Sequence, residues 1–176
     1  FINAAPEELI FVRNTSEGIN LVARGIGLKK GDRVVTTILE HHSNFIVWLR
    51  ECNRVGAEIE IVGADAEGNI DFPQLERYLE KGARVLATTQ VSNVLGAKPP
   101  VKKMAALARG AGALTVVDGA QSVPHMKVDV RDLGIDFLAF SGHKMCGPTG
   151  AGGLFMRSEL QEKVEPLTIG GGTIDD

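Results

Sequence analysis

Along the chain, short runs that are apolar at nearly every position alternate with stretches whose apolar residues recur every three or four positions. The first kind reads as strand, at 9–12, 33–38, 58–62, 84–90, 114–117, 137–140 and 153–156. The second predicts helices over 17–24, 44–54, 72–81, 101–110 and 159–164, with start signals such as Pro99-Pro100 ahead of Val101. VVTTI, LTVV and FLAF lack the alternation of a half-exposed strand and suit strands covered on both faces. Strands and helices in alternation predict an α/β fold, a mostly parallel sheet sandwiched by helices. Phe1 to Ala4 reads as the tail of a helix already under way, and GGGTIDD comes straight after a loop. The expectation is therefore an internal piece of a longer protein.

Composition narrows the partners. With 176 residues there is enough chain for one domain with a sizeable core, and 44% hydrophobic residues with 21 glycines describe a turn-rich globular chain. Lys and Arg (19) against Asp and Glu (22) give a net charge of −3, which with no basic run argues against nucleic acid. No apolar stretch approaches a membrane span. Cys52 and Cys146 stand far apart and in no metal-ligand spacing, which argues against a disulfide framework or a zinc site. Two free cysteines suit a reducing compartment, and the expectation is a cytoplasmic protein.

In open α/β sheets, ligands bind beyond the carboxyl ends of the strands. Here those positions carry chemistry rather than loop filler. The first strand runs into RNTSEG, the second into LEHHSN, the fourth into VSNVLG, the fifth into DGAQS and the sixth into SGHKMCGPTG. Thr15 and Ser16, His41, Asn93, Asp118 and Gln121, and Ser141, His143 and Lys144 thus sit at five strand ends.

Each signal alone is ambiguous. Asn14 to Glu17 has capping-box spacing, so NTSEG reads first as a helix cap, and second as a phosphate seat built from free N–H groups and hydroxyls. Asp118 closes an apolar strand and is either a turn former or the partner of a buried cation, since an unpaired buried carboxylate is costly. Lys144 is either a solvated loop charge or, in a desolvated pocket, an amine able to form a Schiff base. Adjacent His41 and His42 point in different directions, with no further ligand at metal spacing. GPTGAGG lacks the GK[ST] ending of a nucleotide loop, and no GxGxxG comes after the first strand. Pyridoxal phosphate chemistry uses all the parts: a Lys for the aldehyde, a carboxylate for the ring nitrogen and a helix N-terminus for the phosphate.

Taken together, FVRNTSEGINLVARG, LEHHSN, VSNVLG, VVDGAQS and SGHKMCGPTG resemble the class V aminotransferase family of fold-type I pyridoxal phosphate enzymes. Within it they look like the group II cysteine desulfurases of iron–sulfur cluster assembly. The resemblance runs over essentially the whole chain. It implies that residues 1–176 are the cofactor-binding large domain, with a preceding segment and a C-terminal small domain absent. It also implies that Lys144 holds pyridoxal 5'-phosphate and later moves the proton of the substrate α-carbon. Asp118 pairs with the ring nitrogen, Gln121 with the ring hydroxyl, and His41 stacks on the ring and serves acid–base steps. Thr15, Ser16, Ser141 and His143 hold the phosphate, and Asn93 lies near the ring and the substrate carboxylate. The implied reaction turns L-cysteine into L-alanine and passes sulfur, as an enzyme persulfide, to an acceptor protein. The active site of the family lies at a homodimer interface, for which GGGTI at 170–174 resembles the glycine turn.

Three departures qualify the resemblance. NTSEG stands where the family commonly has GTTEG, with Ser16 keeping the hydroxyl. Met145-Cys146 replaces the usual Leu-Tyr, and Cys146 reads as a small buried packing residue. The region carrying the nucleophilic cysteine and the substrate arginine is missing, and neither Cys52 nor Cys146 substitutes for it. Another class V enzyme, a kynureninase-like hydrolase or an aminotransferase, and a catalytically inert fragment therefore remain as alternatives.

Overall fold

The computed structural model describes residues 1–170. Its seven strands are β1 (Leu9–Val12), β2 (Arg33–Thr37), β3 (Glu58–Val62), β4 (Ala83–Thr89), β5 (Leu114–Asp118), β6 (Phe137–Ser141) and β7 (Gly152–Met156). The α-helices are α1 (Thr15–Gly25), α2 (His42–Val55), α3 (Phe72–Glu80), α4 (Val101–Gly110) and α5 (Val130–Leu133), which lie between strands, and α6 (Ser158–Gln161), which comes after β7. All strands join one sheet in the order β1-β7-β6-β5-β4-β2-β3. Its pairs are parallel from β3 through β6, while β7 lies antiparallel to both β6 and β1.

The apolar strands bury both faces, as their composition predicts. Successive residues point to opposite sides of a sheet, and the core divides accordingly. Val34, Val85, Val116 and Phe137 pack with Ile19 and Val22 of α1 and Trp48 of α2. Their neighbours Val35 and Leu86 pack on the other side with Leu75 and Leu79 of α3 and Met104 of α4. Val117 and Leu138 continue that second face against Val101 and Ala105. The result is the expected helix–sheet–helix sandwich.

The differences from the sequence reading have local causes. Phe1 to Ala5 is not helical: Asn3 has a φ of 58° and buried Ile2 offers its carbonyl to Val130 N. Helix α5 was not predicted; at four residues it is too short for periodicity, and Asp129 caps it by accepting from Arg131 N and Asp132 N. Helix α6 stops at Gln161 rather than 164, because the chain turns there and brings Glu165 N to the carbonyl of Gly25. The GGGTI stretch lies, beyond Gly170, outside the described residues. Among the described residues no helix is long and apolar enough to cross a membrane.

Candidate active site

Strand β1 runs antiparallel to β7, as does β6, so the carboxyl ends of β1, β2, β4, β5 and β6 meet at one edge of the sheet. There they enclose a cavity of about 290 Å³. Thr15, Ser16, His41, Asn93, Asp118, Gln121, Ser141, His143 and Lys144 all line it, along with Asn14, Ser43, Thr89, Val91 and Ala120. Residues as far apart in sequence as 14 and 144 meet here only because the strands that carry them are neighbours in the sheet.

One wall is the N-terminus of α1. Asn14 caps the helix, its side chain accepting from Glu17 N at 2.9 Å, while the Glu17 carboxylate takes the N–H of Arg13 instead of that of Asn14. The cap is thus present, and of the first N–H groups of α1 that of Ser16 alone, among the described residues, has no acceptor. Buried Ser141, the last residue of β6, accepts from Thr15 N at 2.8 Å and shares a 2.7 Å hydrogen bond with Thr15 Oγ1. Whichever hydroxyl donates in that bond, the other keeps its proton for a further acceptor.

The Lys144 loop leaves β6 as a single 3-10 turn, Gly142–Lys144. Gly142 N donates to Ala151 O at 2.7 Å, and a Cβ at residue 142 would stand 2.7 Å from that same carbonyl oxygen. A glycine is required for this close approach, which folds the loop back onto the strand and leaves Lys144 at the cavity. Among the described residues, the side chains of Asn93, Gln121, His143 and Lys144 take part in no hydrogen bond or salt bridge with other residues. Cys146 differs from its expected place: it is exposed, with a φ of 63°, because the loop turns outward just past Lys144.

Asp118 forms the floor and is only 3% exposed. One carboxylate oxygen accepts from Ala120 N at 2.9 Å, so the turn-former role is real. Among the described residues nothing donates to the other oxygen. Burial pushes this carboxyl above the usual range, and the Ala120 hydrogen bond and the charges of Lys144 and His41 pull it back. His41 is the N-cap of α2: its Nδ1 accepts from Ser43 N at 3.1 Å and meets Ser43 Oγ at 3.0 Å, which sets the ring at the rim.

The family model described as aminotransferase class-V matches residues 1–176. The chain belongs to the class V aminotransferase family. This class V chain is 49% identical over 179 residues to a probable cysteine desulfurase of Pyrococcus abyssi, with 100% of the chain and 44% of the relative covered. It matches the apo cysteine desulfurase of Thermococcus onnurineus NA1 with a TM-score of 0.94 and 47% identity, over 99% of this chain and 44% of that one. For the Escherichia coli cysteine desulfurase CsdA, in its S-sulfonic acid form, the TM-score is 0.91 and the identity 37%, over 97% and 43% of the two chains. The chain spans 44% of the length of the curated relatives it matches.

Sequence reasoning missed part of this class V site. Thr89, the last residue of β4, and Ser43 both line the cavity. Glu40, inside the LEHHSN stretch, lies behind it. Its Oε1 accepts from Thr37 Oγ1 at 2.6 Å and from Thr89 N at 2.9 Å, and its Oε2 accepts from Asn44 Nδ2 at 2.6 Å. Burial, helped by the nearby charge of Asp118, pushes this carboxyl up to about 7 against the pull of those three donors. The only signal in the sequence was an acidic residue between a buried strand and a helix.

Proposed function

We propose that this chain is the cofactor-holding part of a pyridoxal phosphate-dependent cysteine desulfurase, a transferase that turns L-cysteine into L-alanine and passes the sulfur on as a persulfide. The observation that carries the proposal is the buried Asp118 carboxylate, one oxygen without a donor, facing an unpaired Lys144 across a cavity lined by hydroxyls and a helix N-terminus. That donor set fits the cofactor: a protonated ring nitrogen is the cation the Asp118 floor lacks, and Lys144 is the amine its aldehyde requires. Bound there, pyridoxal phosphate supplies a conjugated ring that takes up the electron pair left on a substrate carbon.

The side chains then divide the work. Lys144 anchors the cofactor and moves the proton at the substrate α-carbon. Asp118 keeps the proton on the ring nitrogen, and Gln121 orients the ring hydroxyl. Thr15, Ser16, Ser141 and His143 bind the phosphate, aided by the Ser16 N–H, which among the described residues has no acceptor while those of Thr15, Glu17 and Gly18 do. His41 covers the ring face and takes part in proton transfer, and Asn93 orients the ring and the substrate carboxylate. The cysteine that takes the sulfur lies outside this chain.

Several wider properties belong to the same reading. Val94 and Leu95, 81% and 53% exposed beside Asn93, support a homodimer with the cavity near its interface. Delivery to a sulfur-acceptor protein for iron–sulfur cluster assembly, in the reducing cytoplasm, suits a persulfide product. The net charge of −3 favours neither nucleic acid nor an anionic membrane surface as partner. Incubating the full-length protein with pyridoxal phosphate and L-cysteine tests the proposal: alanine and protein-bound sulfane sulfur are expected in equal amounts. Cofactor binding without alanine formation would reassign the site to another class V chemistry.

A further inference from the structure

Glu40 is not among the residues that line the site cavity, yet three elements converge on its carboxylate. Thr37 closes β2, Thr89 closes β4, and Asn44 lies in the first turn of α2. The ionised carboxylate meets donors only. Thr37 Oγ1, which accepts from Leu39 N, can give it the hydroxyl proton. Thr89 offers a backbone N–H. Asn44 is held one way round, because Trp48 Nε1, which can only donate, occupies its Oδ1 at 3.0 Å. Its amide nitrogen must therefore face Glu40. Once the carboxyl has ionised, which burial delays to about pH 7, both oxygens meet donors, a setting that suits it better than an amide of equal size.

The next residue is His41. Its ring is tied to the same helix turn through Ser43, and its position depends on where α2 begins. On the other side, the Glu40 charge lies within electrostatic reach of Asp118. We propose that Glu40 is a positioning residue: its carboxylate clamps the start of α2 to the ends of β2 and β4, holding the His41 imidazole at the rim, and its charge adds to that of Asp118 in favouring a cation in the cavity. The inference deepens the reading of the cavity as a pyridoxal phosphate seat and rests on it for the charge effect.

Two variants of the full-length protein separate position from charge. Glu40→Gln keeps the reach but removes the charge and, whichever way its amide turns, sets an NH2 against either Asn44 Nδ2 or Thr89 N–H; Glu40→Asp keeps the charge but withdraws it by one methylene. Added pyridoxal phosphate is followed by its visible band, and the amide exchange of Ser43 is followed without ligand. For Glu40→Gln, cofactor affinity is expected to fall roughly tenfold, as when outer hydrogen-bond partners of a ligand-holding histidine are lost. The pH midpoint of the band should move down, because the bound cation loses a negative neighbour. For Glu40→Asp the midpoint stays at the wild-type value. In both variants Ser43 exchanges faster, while the Glu17 amide, capped by Asn14, is unchanged. A Glu40→Gln protein with wild-type affinity and midpoint overturns the proposal even if it is less stable, and so does a midpoint shift of equal size in the two variants. If the wild-type protein shows no band, the cofactor reading falls. Ser43 exchange then decides the positioning role alone: faster in both variants supports it, and unchanged overturns it.

Discussion

Glu40 makes a stability prediction whose sign is unusual for a carboxylate. Its ordinary value is 4.5 and the fold pushes it up to about 7, chiefly through burial. A carboxyl raised in this way binds its proton more tightly folded than unfolded. Its contribution is complete below pH 4.5 and is lost as pH rises through 7. At 1.36 kcal/mol per pH unit, the loss across that window is about 3 kcal/mol. Ion-paired or capping carboxylates such as Glu17 and Asp129 are lowered instead, so they add stability as pH rises from the acid side. A comparison with Glu40→Gln cancels those common terms. Urea unfolding of both ligand-free proteins, followed by the fluorescence of buried Trp48, should be run from pH 5 to pH 8. The Gln variant is expected to gain about 2–3 kcal/mol on wild type across this range. Curves that stay parallel would refute the reasoning, because they would mean that the three donors already hold Glu40 ionised at pH 5.

Three further outcomes rest on single contacts. Ser141→Ala leaves the buried Thr15 N–H without its acceptor and should lower stability by about 2 kcal/mol; a loss within experimental error in chemical denaturation would contradict the role given to this pair. Gly25→Ala gains about 1 kcal/mol in helix propensity but sets a Cβ 2.5 Å from the backbone oxygen of Glu165. The net effect should be a destabilisation of about 1–2 kcal/mol, and an unchanged or raised Tm would refute it. Asp118→Asn removes the floor charge and should weaken pyridoxal phosphate binding by at least tenfold, about 1.4 kcal/mol, measured by titrating the visible band; wild-type affinity would remove Asp118 from the site.

Much of the architecture was legible because its signals are local. Runs such as LTVV and FLAF carry the two-sided burial of β5 and β6 in their own composition, and Asn14 announces α1 within four residues. The strand-end residues were legible for a related reason: a parallel sheet gathers the carboxyl ends of its strands, so the residues just past each strand become neighbours around one cavity. Features that depend on distant partners were not legible. Glu40 acquires its meaning from Thr89, 49 positions away, and from an Asn44 amide oriented by Trp48. Ile2 is buried by a tertiary contact with the start of α5, not by helical periodicity. Cys146 faces out because of the backbone path of its loop, which residue type alone does not reveal.

The central claim is that Lys144 is the covalent anchor of an aldehyde cofactor. The most direct test is borohydride reduction of the full-length protein loaded with pyridoxal phosphate, with peptide mass analysis of the product. The account predicts one pyridoxyl adduct per chain, on the peptide containing Lys144, and none on a Lys144→Ala variant. An adduct on another lysine, or an unchanged visible band in Lys144→Ala, would contradict it.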